Sequence, residues 1–448
     1  MKAEEQRAVY IATQPKVPAE WPIVPFEQVA TPQSDRGKRI KQRDYLPEGR
    51  IPVIDQGQAL VGGYTDDEDF AFSGELPVVL FGDHTRAVKL VSHRFAVGAD
   101  GIKIFRPAEG VRPKYLYYWM KSARIPDRGY GRHYQYLRQL SVPLPPPAKQ
   151  DEIVAEIEKQ FSRLDEAVAN LKRVKANFKR YKAAVLKAAV EGRLVETEAE
   201  IARREGRSYE TGAQLLQRIL ETRRSQWKGK GKYKEPAAPD TTDLPELPEG
   251  WMWASVDQLV AHLTDGDHQA PPQTDQGIPF LVIGNVRSGE IDFSDTRFVG
   301  EAYYKSLDPS RQPRIGDLLY TLVGSYGIPV RVTTEKPFCI QRHMAILRPH
   351  EHSPMSYLTV AMGSDNVFKQ ATAVATGTAQ LTVPLAGLRR IATPLPPISE
   401  QERIVAEVER RLTLLCATEA QVEANLQRAQ LLRQSVLSKA FTGTSIEN

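Results

Sequence analysis

Cysteine is nearly missing from this chain: Cys339 and Cys416 are the two thiols in 448 residues, and they lie far apart. That excludes a disulfide scaffold and a cysteine-rich zinc site, and it fits a reducing compartment. Long apolar runs are missing as well. No stretch approaches the roughly 20 apolar residues of a membrane span, and residues 1–21 lack the apolar core that a secretory signal requires. A cytoplasmic protein is therefore expected. Neither sign of charge dominates, with 60 Lys and Arg against 55 Asp and Glu for a formal net charge of +5. A balance of that kind permits nucleic-acid binding without establishing it.

The catalytic repertoire is also thin. There is no Gly-x-x-x-x-Gly-Lys-Ser/Thr phosphate loop, since Gly229-Lys230-Gly231-Lys232 has neither the spacing nor the hydroxyl. No dinucleotide fingerprint follows a strand, and the Asn-Pro-Pro-aromatic loop that surrounds an extruded base is absent. The eight histidines show no zinc spacing; His350-x-His352 sits in a Pro-flanked loop, and Asp265-Gly266-Asp267-His268 reads as a tight turn before it reads as a cation loop. The chain is expected to bind and not to catalyse, with no metal or cofactor of its own.

What the sequence does contain is a long internal repeat. Pro143-Leu144-Pro145-Pro146 and Pro394-Leu395-Pro396-Pro397 each precede an amphipathic run, and Ile153-Val154-Ala155-Glu156-Ile157-Glu158 answers Ile404-Val405-Ala406-Glu407-Val408-Glu409 at an offset of 251 residues. The register holds as far as Gly192 and Gly443, too far for chance. Proline ends strand ladders yet is tolerated in the first turn of a helix, so both Pro-rich segments mark a passage from sheet to helix. A signalling PxxP ligand is the competing reading, and the position of both copies at a domain junction argues against it.

Six segments follow: an N-terminal extension 1–20, a globular half 21–146, a long helix 147–192, a linker with a short helix 193–249, a second globular half 250–397 and a second long helix 398–443. Short apolar runs such as Pro77-Val78-Val79-Leu80-Phe81 and Met344-Ala345-Ile346-Leu347, separated by Gly, Asp and Pro, predict strands in both halves, with one helix near Tyr115 and its counterpart near Tyr357. In the first long helix Ile153, Ile157, Phe161, Leu164, Val168, Leu171, Val174, Phe178, Tyr181 and Val185 form one stripe; Ile404, Val408, Leu412, Leu415, Val422, Leu432 and Val436 repeat it. Helices on the order of 60 Å long, each with one apolar stripe, bury each other most economically as an antiparallel coiled coil. The fold class is thus α+β, two tandem globular α/β domains each followed by a long helix, with a pseudo-two-fold internal repeat.

Polar and basic side chains gather on Gly-containing loops of each half. In the first these are His84, Thr85 and Arg86, then Arg132, His133 and Tyr134. In the second they are His268 and Gln269, Ser325 and Tyr326, Arg342, and Thr378 and Gln380. Base edges in a major groove ask for such groups: Arg for guanine, Gln for adenine, small hydroxyls for either. The alternative for each loop is an ordinary turn. Lys172, Arg173, Lys175, Lys179, Arg180 and Lys182 of the first helix either track phosphates or form a solvated face.

Two variable halves, each closed by a Pro-Leu-Pro-Pro turn and an Ile-Val-Ala-Glu helix, resemble the specificity subunit of Type I restriction-modification enzymes. Gly82-Asp83-His84-Thr85-Arg86 with Gly98-Ala99-Asp100-Gly101, Ile278-Pro279-Phe280 through Ile283-Gly284-Asn285-Val286, Gly324-Ser325-Tyr326-Gly327 and Thr376-Gly377-Thr378-Ala379-Gln380 resemble motifs of that family's target recognition domains. The resemblance covers Trp21 to Gly443. It implies a non-catalytic subunit that reads a bipartite, asymmetric site on double-stranded DNA, with the paired helices setting the gap. It also implies two modification subunits that carry S-adenosylmethionine and dock on the helices, and two restriction subunits that use ATP and Mg. A reading from a different class is a coiled-coil scaffold whose globular halves bind protein partners.

Overall fold

A computed structural model describes residues 17–442, apart from 100, 128, 130, 229, 230, 269, 270 and 351. The N-terminal extension up to residue 16, Tyr130, Gln269 and the register mark Gly443 therefore lie outside the described residues. The chain divides into two compact units, one formed by residues up to Arg173 together with those from Gln421 onward, the other by Val174–Ala420. The expected partition gives each long helix a segment to itself; by compactness each unit instead takes a portion of both.

Unit 1 begins with β1 (Ile23–Pro25), which pairs antiparallel with β10 (Ser141–Pro143) and so ties the start of the globular part to its end. Between them lie two four-stranded sheets. One has the order β2 (Ala30–Gln33), β9 (Ile102–Pro107), β6 (Val78–Gly82), β7 (Val88–Val91); the other has β3 (Arg39–Ile40), β8 (Ala96–Gly98), β4 (Ile51–Ile54), β5 (Gly63–Thr65). The first sheet is buried on both faces, which is why its central strands read as unbroken apolar runs rather than as alternation. Val78 and Leu80 of β6 face a core with Ile54, Val97, Ile102 and Ile104. Val79 and Phe81 face the opposite way, into a core with Phe26, Phe105, Tyr115 and Trp119. Phe26 stacks on Trp119 at 5.7 Å between centroids and meets Phe105 edge-on at 5.2 Å.

Unit 2 repeats the plan. β11 (Met252–Ser255) pairs with β20 (Ala392–Leu395), and an antiparallel sheet runs β12 (His262–Asp265), β19 (Met344–Arg348), β16 (Leu318–Thr321), β17 (Pro329–Arg331). A second sheet runs β13 (Gln273–Thr274), β15 (Arg297–Val299), β14 (Ile278–Leu281), β18 (Cys339–Ile340). Again the central sheet is buried twice: Leu318, Tyr320, Ala345 and Leu347 enter one core, and Leu319, Met344 and Ile346 the other. Helices stand at Pro113–Ser122 and Met355–Met362, as the apolar spacing predicts; Tyr134–Leu137 in unit 1 answers Leu385–Arg390 in unit 2, and unit 2 adds Asp365–Val374.

The long helices span Pro147–Val190 and Ile398–Ala440. Each start is locked by the same bond: Gln150 Nε2 donates to the Pro145 carbonyl at 2.9 Å, and Gln401 Nε2 donates to the Pro396 carbonyl at 2.7 Å. In unit 1, Ile153, Val154 and Ile157 share a core with Leu437, Ala440 and Phe441, and Arg433 pairs with Asp165, so the two segments run in opposite directions. In unit 2, Val185 and Ala189 share a core with Ile404 and Val408, again head to tail. The buried stripe is narrower than the periodicity suggests. Val174, Tyr181 and Leu432 are more than two-fifths exposed, because a helix covered by a single neighbour buries only a narrow seam.

Residues 193–249, expected as a linker with a short helix, carry more structure than that. They hold two helices, Glu198–Glu205 and Gly212–Ser225, each opened by a reciprocal cap, Thr197 with Glu200 and Thr211 with Gln214. Leu215, Leu216 and Ile219 are buried in the principal core of unit 2. The helical part of this segment belongs to the globular unit, and it is the reason Leu215-Leu216 and Ile219-Leu220 are spaced as they are. Among the described residues, no helix is long and apolar enough to cross a membrane.

Candidate nucleic-acid interface

In unit 1 the turn after β6 carries three of the expected readers, and the structure separates their roles. Thr85 Oγ1 donates to the Gln56 carbonyl at 2.5 Å and accepts the Ala87 N–H at 3.3 Å, so its hydroxyl serves the turn and is not presented outward. The His84 N–H donates to Gln56 Oε1 at 3.3 Å. Beneath Gln56, the buried Lys89 donates to the Asp55 carbonyl at 2.7 Å and stands 3.6 Å from its carboxylate. Burial pulls the Lys89 ammonium below its ordinary range, and Asp55 opposes that shift. Arg86 extends to Asp127, with Nη2 donating to Oδ2 at 2.6 Å.

The second loop of unit 1 corrects one expectation. His133 is fully buried, and both its N–H and its Nδ1 lie against the Asp83 carbonyl, at 2.8 and 2.9 Å. It closes the loop onto the turn and has no surface to offer a base. Tyr134 is half-buried: its N–H donates to Asp83 Oδ1 at 2.7 Å, its ring packs 5.6 Å from Phe105, and burial raises its hydroxyl above the ordinary range. Arg132 alone of this trio is exposed.

Unit 2 brings three of its expected readers, His268, Arg342 and Gln380, to one cavity. This cavity of about 400 Å³ is lined by Asp265, His268, Arg342, His343, Gln380 and Thr382, from three separate loops. Gly266 makes this possible, because a β-carbon there would stand 2.2 Å from the Ile340 carbonyl oxygen. His268 Nε2 lies 2.9 Å from Asp265 Oδ2, the Tyr303 hydroxyl donates to Asp267 Oδ2 at 2.8 Å, and Arg311 Nη1 donates to the Gly266 carbonyl at 2.7 Å. Burial first, then the Asp267 carboxylate, raises the Tyr303 hydroxyl far above its usual range. Asp265 and Asp267 are thus held by protein groups, as a turn requires. His350 is half-buried, and burial lowers its imidazole to about 4.

Thr378 and Gln380 lie on an exposed hairpin closed by reciprocal bonds between Thr376 and Thr382, both 2.8 Å. The hairpin is pinned to the loop after β16 by the Gly324 N–H donating to the Leu381 carbonyl at 2.9 Å. Gly324, at φ +67°, leaves room for the Gln380 amide, which a β-carbon would meet at 2.7 Å. Ser325 is exposed, while Tyr326 stacks on Phe368 at 5.3 Å and its hydroxyl pairs with Thr372 at 2.9 Å. Gln56, Lys89, Asp127 and Arg311 are the supports that sequence reading missed. Only Lys89 left a signal there, a charge at the inward position of Val88-Lys89-Leu90-Val91.

Known proteins resemble this chain in sequence and in fold. No family model matches the chain. It is 26% identical over 312 residues to the EcoBI specificity subunit of Escherichia coli, an alignment covering 68% of this chain and 59% of that subunit. It is 22% identical to the EcoKI specificity subunit of Escherichia coli K12 over 96% of this chain and 90% of that one. Among solved structures, one of complex assembly and conformational transition in the type I R-M system superposes with a TM-score of 0.59 at 17% identity, covering 96% of this chain and all of that one. The HsdS subunit of Thermoanaerobacter tengcongensis gives 0.53 at 18% identity over 97% and 99%. The fold is therefore the mixed helix and sheet fold of these structures, and in sequence the chain is similar to specificity subunits of Type I restriction enzymes.

Proposed function

We propose that the chain is the DNA-recognition subunit of a Type I restriction-modification complex, with each globular unit reading one half of a bipartite, asymmetric site. It is not itself an enzyme. The observation that carries this is the contrast between a repeated scaffold and unrepeated edges. The strand order β2-β9-β6-β7 of unit 1 recurs as β12-β19-β16-β17 in unit 2, yet the turn after β6 presents Arg86 while the loop after β16 presents Ser325 and Tyr326 beside the Thr378 and Gln380 hairpin. Two readers on one plan, differently decorated, suit two different half-sites. The long helices act as an antiparallel coiled coil that sets the gap between half-sites and docks two modification subunits. Those subunits supply S-adenosylmethionine, and two restriction subunits supply ATP-driven, Mg-dependent cleavage, in the cytoplasm.

Salt and sequence test this. The purified chain, alone or with its methyltransferase partner, should prefer one duplex over others, with affinity falling steeply as salt rises. In cells carrying both, methylated adenines should map to one split sequence. A chain without any salt-dependent duplex preference would instead be a scaffold for protein partners.

A further inference from the structure

Arg86 is one of two non-glycine residues at positive φ among those described, at +58°. A left-handed backbone at a β-carbon-bearing residue is strained, and such strain is retained where the side chain is needed. The turn around it is rigid. Its N–H donates to the Gly82 carbonyl at 2.8 Å, and the Gly82 N–H donates to the Ala87 carbonyl at 2.8 Å. A glycine would satisfy this turn without strain, so the arginine side chain is what the position keeps.

The guanidinium is held from one side. Nη2 donates to Asp127 Oδ2 at 2.6 Å and Nη1 to the Ile125 carbonyl at 3.3 Å. Asp127 is itself fixed, because its Oδ1 accepts the Gly129 N–H at 2.9 Å. That N–H first, and Arg86 second, keep its carboxyl below the ordinary range, so it is charged at neutral pH. Of the five N–H groups of an arginine, three remain for a ligand. The side chain stays 37% exposed and lines an open cavity of about 370 Å³ with Gln58 and Lys121.

The charge balance selects the ligand. An arginine already neutralised by a carboxylate is a poor clamp for phosphate, since Asp127 would repel it. A guanine edge is neutral, offers O6 and N7 to two parallel N–H groups, and rewards an arginine whose plane is already fixed. Resting on the DNA reading above, we propose that Asp127 is a positioning residue that presents Arg86 to one guanine in the half-site read by unit 1.

The test selects bound duplexes from a randomised pool with the full chain and its methyltransferase partner, then sequences them. Wild type should show one fixed G:C pair in one half-site. Asp127→Ala should lower the preference there by about tenfold or more, Arg86→Lys should abolish it, and Asp127→Glu should restore part of it. The other half-site should not change. Because the Asp127 side chain is 66% exposed, its variants should keep the wild-type melting temperature. Uniform weakening across all sequences, with a shallower salt dependence, would mean a phosphate contact and overturn the proposal. An unchanged profile would reduce the pair to a surface ion pair and overturn it equally. A wild-type chain that selects no sequence would sink the DNA reading itself, a distinct result.

Discussion

The Glu198 carboxylate accepts a hydrogen bond from Arg403 Nη1 at 2.8 Å, although 205 residues separate them. Glu198 is 1% exposed and also pairs with Arg207 at 2.5 Å. Burial alone would raise its carboxyl, but Arg207 and Arg403 outweigh that and lower it. The bond fastens the segment after the first long helix to the start of the second.

Glu198→Ala should therefore destabilise unit 2 by about 2–4 kcal/mol, since it leaves Arg403, a third exposed, without its carboxylate and with only the Ser399 and Glu196 carbonyls. Equilibrium unfolding in denaturant measures the loss. Change below about 0.5 kcal/mol would mean the segment is a tether after all.

Glu400 carries the opposite shift. Its carboxyl is raised by burial, with the Glu198 N–H at 2.9 Å opposing the rise. A carboxyl raised in the folded state binds its proton more tightly there, so stability falls as pH climbs from 4.5 through the folded value. Glu400→Gln removes that dependence. The variant should match wild type below pH 4.5 and melt progressively higher than wild type as pH rises toward neutrality. Parallel melting curves across that window would refute the assignment.

Beneath the turn after β6, Lys89→Met should cost about 2–4 kcal/mol by leaving the Asp55 carboxylate, itself less than a fifth exposed, without a cation. Adding Asp55→Asn should recover part of the loss, because the orphaned charge goes with it. Additive losses in the double-mutant cycle would show that the two side chains do not interact.

Much of this architecture was legible because its physics is local or periodic. Twice-buried strands such as Val78–Gly82 show as apolar runs, and the long helices show as stripes that begin at a Pro-rich start. The supports of the candidate loops were not legible. Asp127 reaches Arg86 across 41 residues, and Arg311 reaches Gly266 across 45. No period or composition marks such partners. His133 was misplaced for the same reason: a histidine in a polar loop reads as a ligand until the Asp83 carbonyl is found over it. In 193–249 the amphipathic patch at Leu215-Leu216 and Ile219-Leu220 marks one helix, and the short polar helix Glu198–Glu205 ahead of it left no such signal.

At the unit 2 cavity, Gly266→Ala tests whether the backbone approach sets the reader. The added β-carbon would stand 2.2 Å from the Ile340 carbonyl oxygen and 2.6 Å from the Gln341 carbonyl carbon, both backbone atoms that cannot swing aside. A cost of about 1–3 kcal/mol is expected, with β12 pushed from β18 and His268 moved off the cavity. Discrimination should fall in one half-site and persist in the other. Loss in both would argue that the units do not read independently.

The helices offer the test of the gap. Removing Val168–Val174 and Ala420–Leu426 together deletes one heptad from each helix and shortens an arm by about 10 Å at 1.5 Å per residue. Seven residues are close to two full turns, so the flanking apolar positions, Leu164 with Phe178 and Leu415 with Ala429, stay within about 20° of their original faces. On DNA, about 10 Å corresponds to roughly three base pairs. If the helices measure the gap, the shortened protein should keep both half-sites and prefer a spacer about three base pairs shorter. Genome-wide mapping of methylated adenines reads half-sites and spacer at once. An unchanged spacer in a folded variant would mean that the gap is set elsewhere, by the recognition units or by the partner subunits.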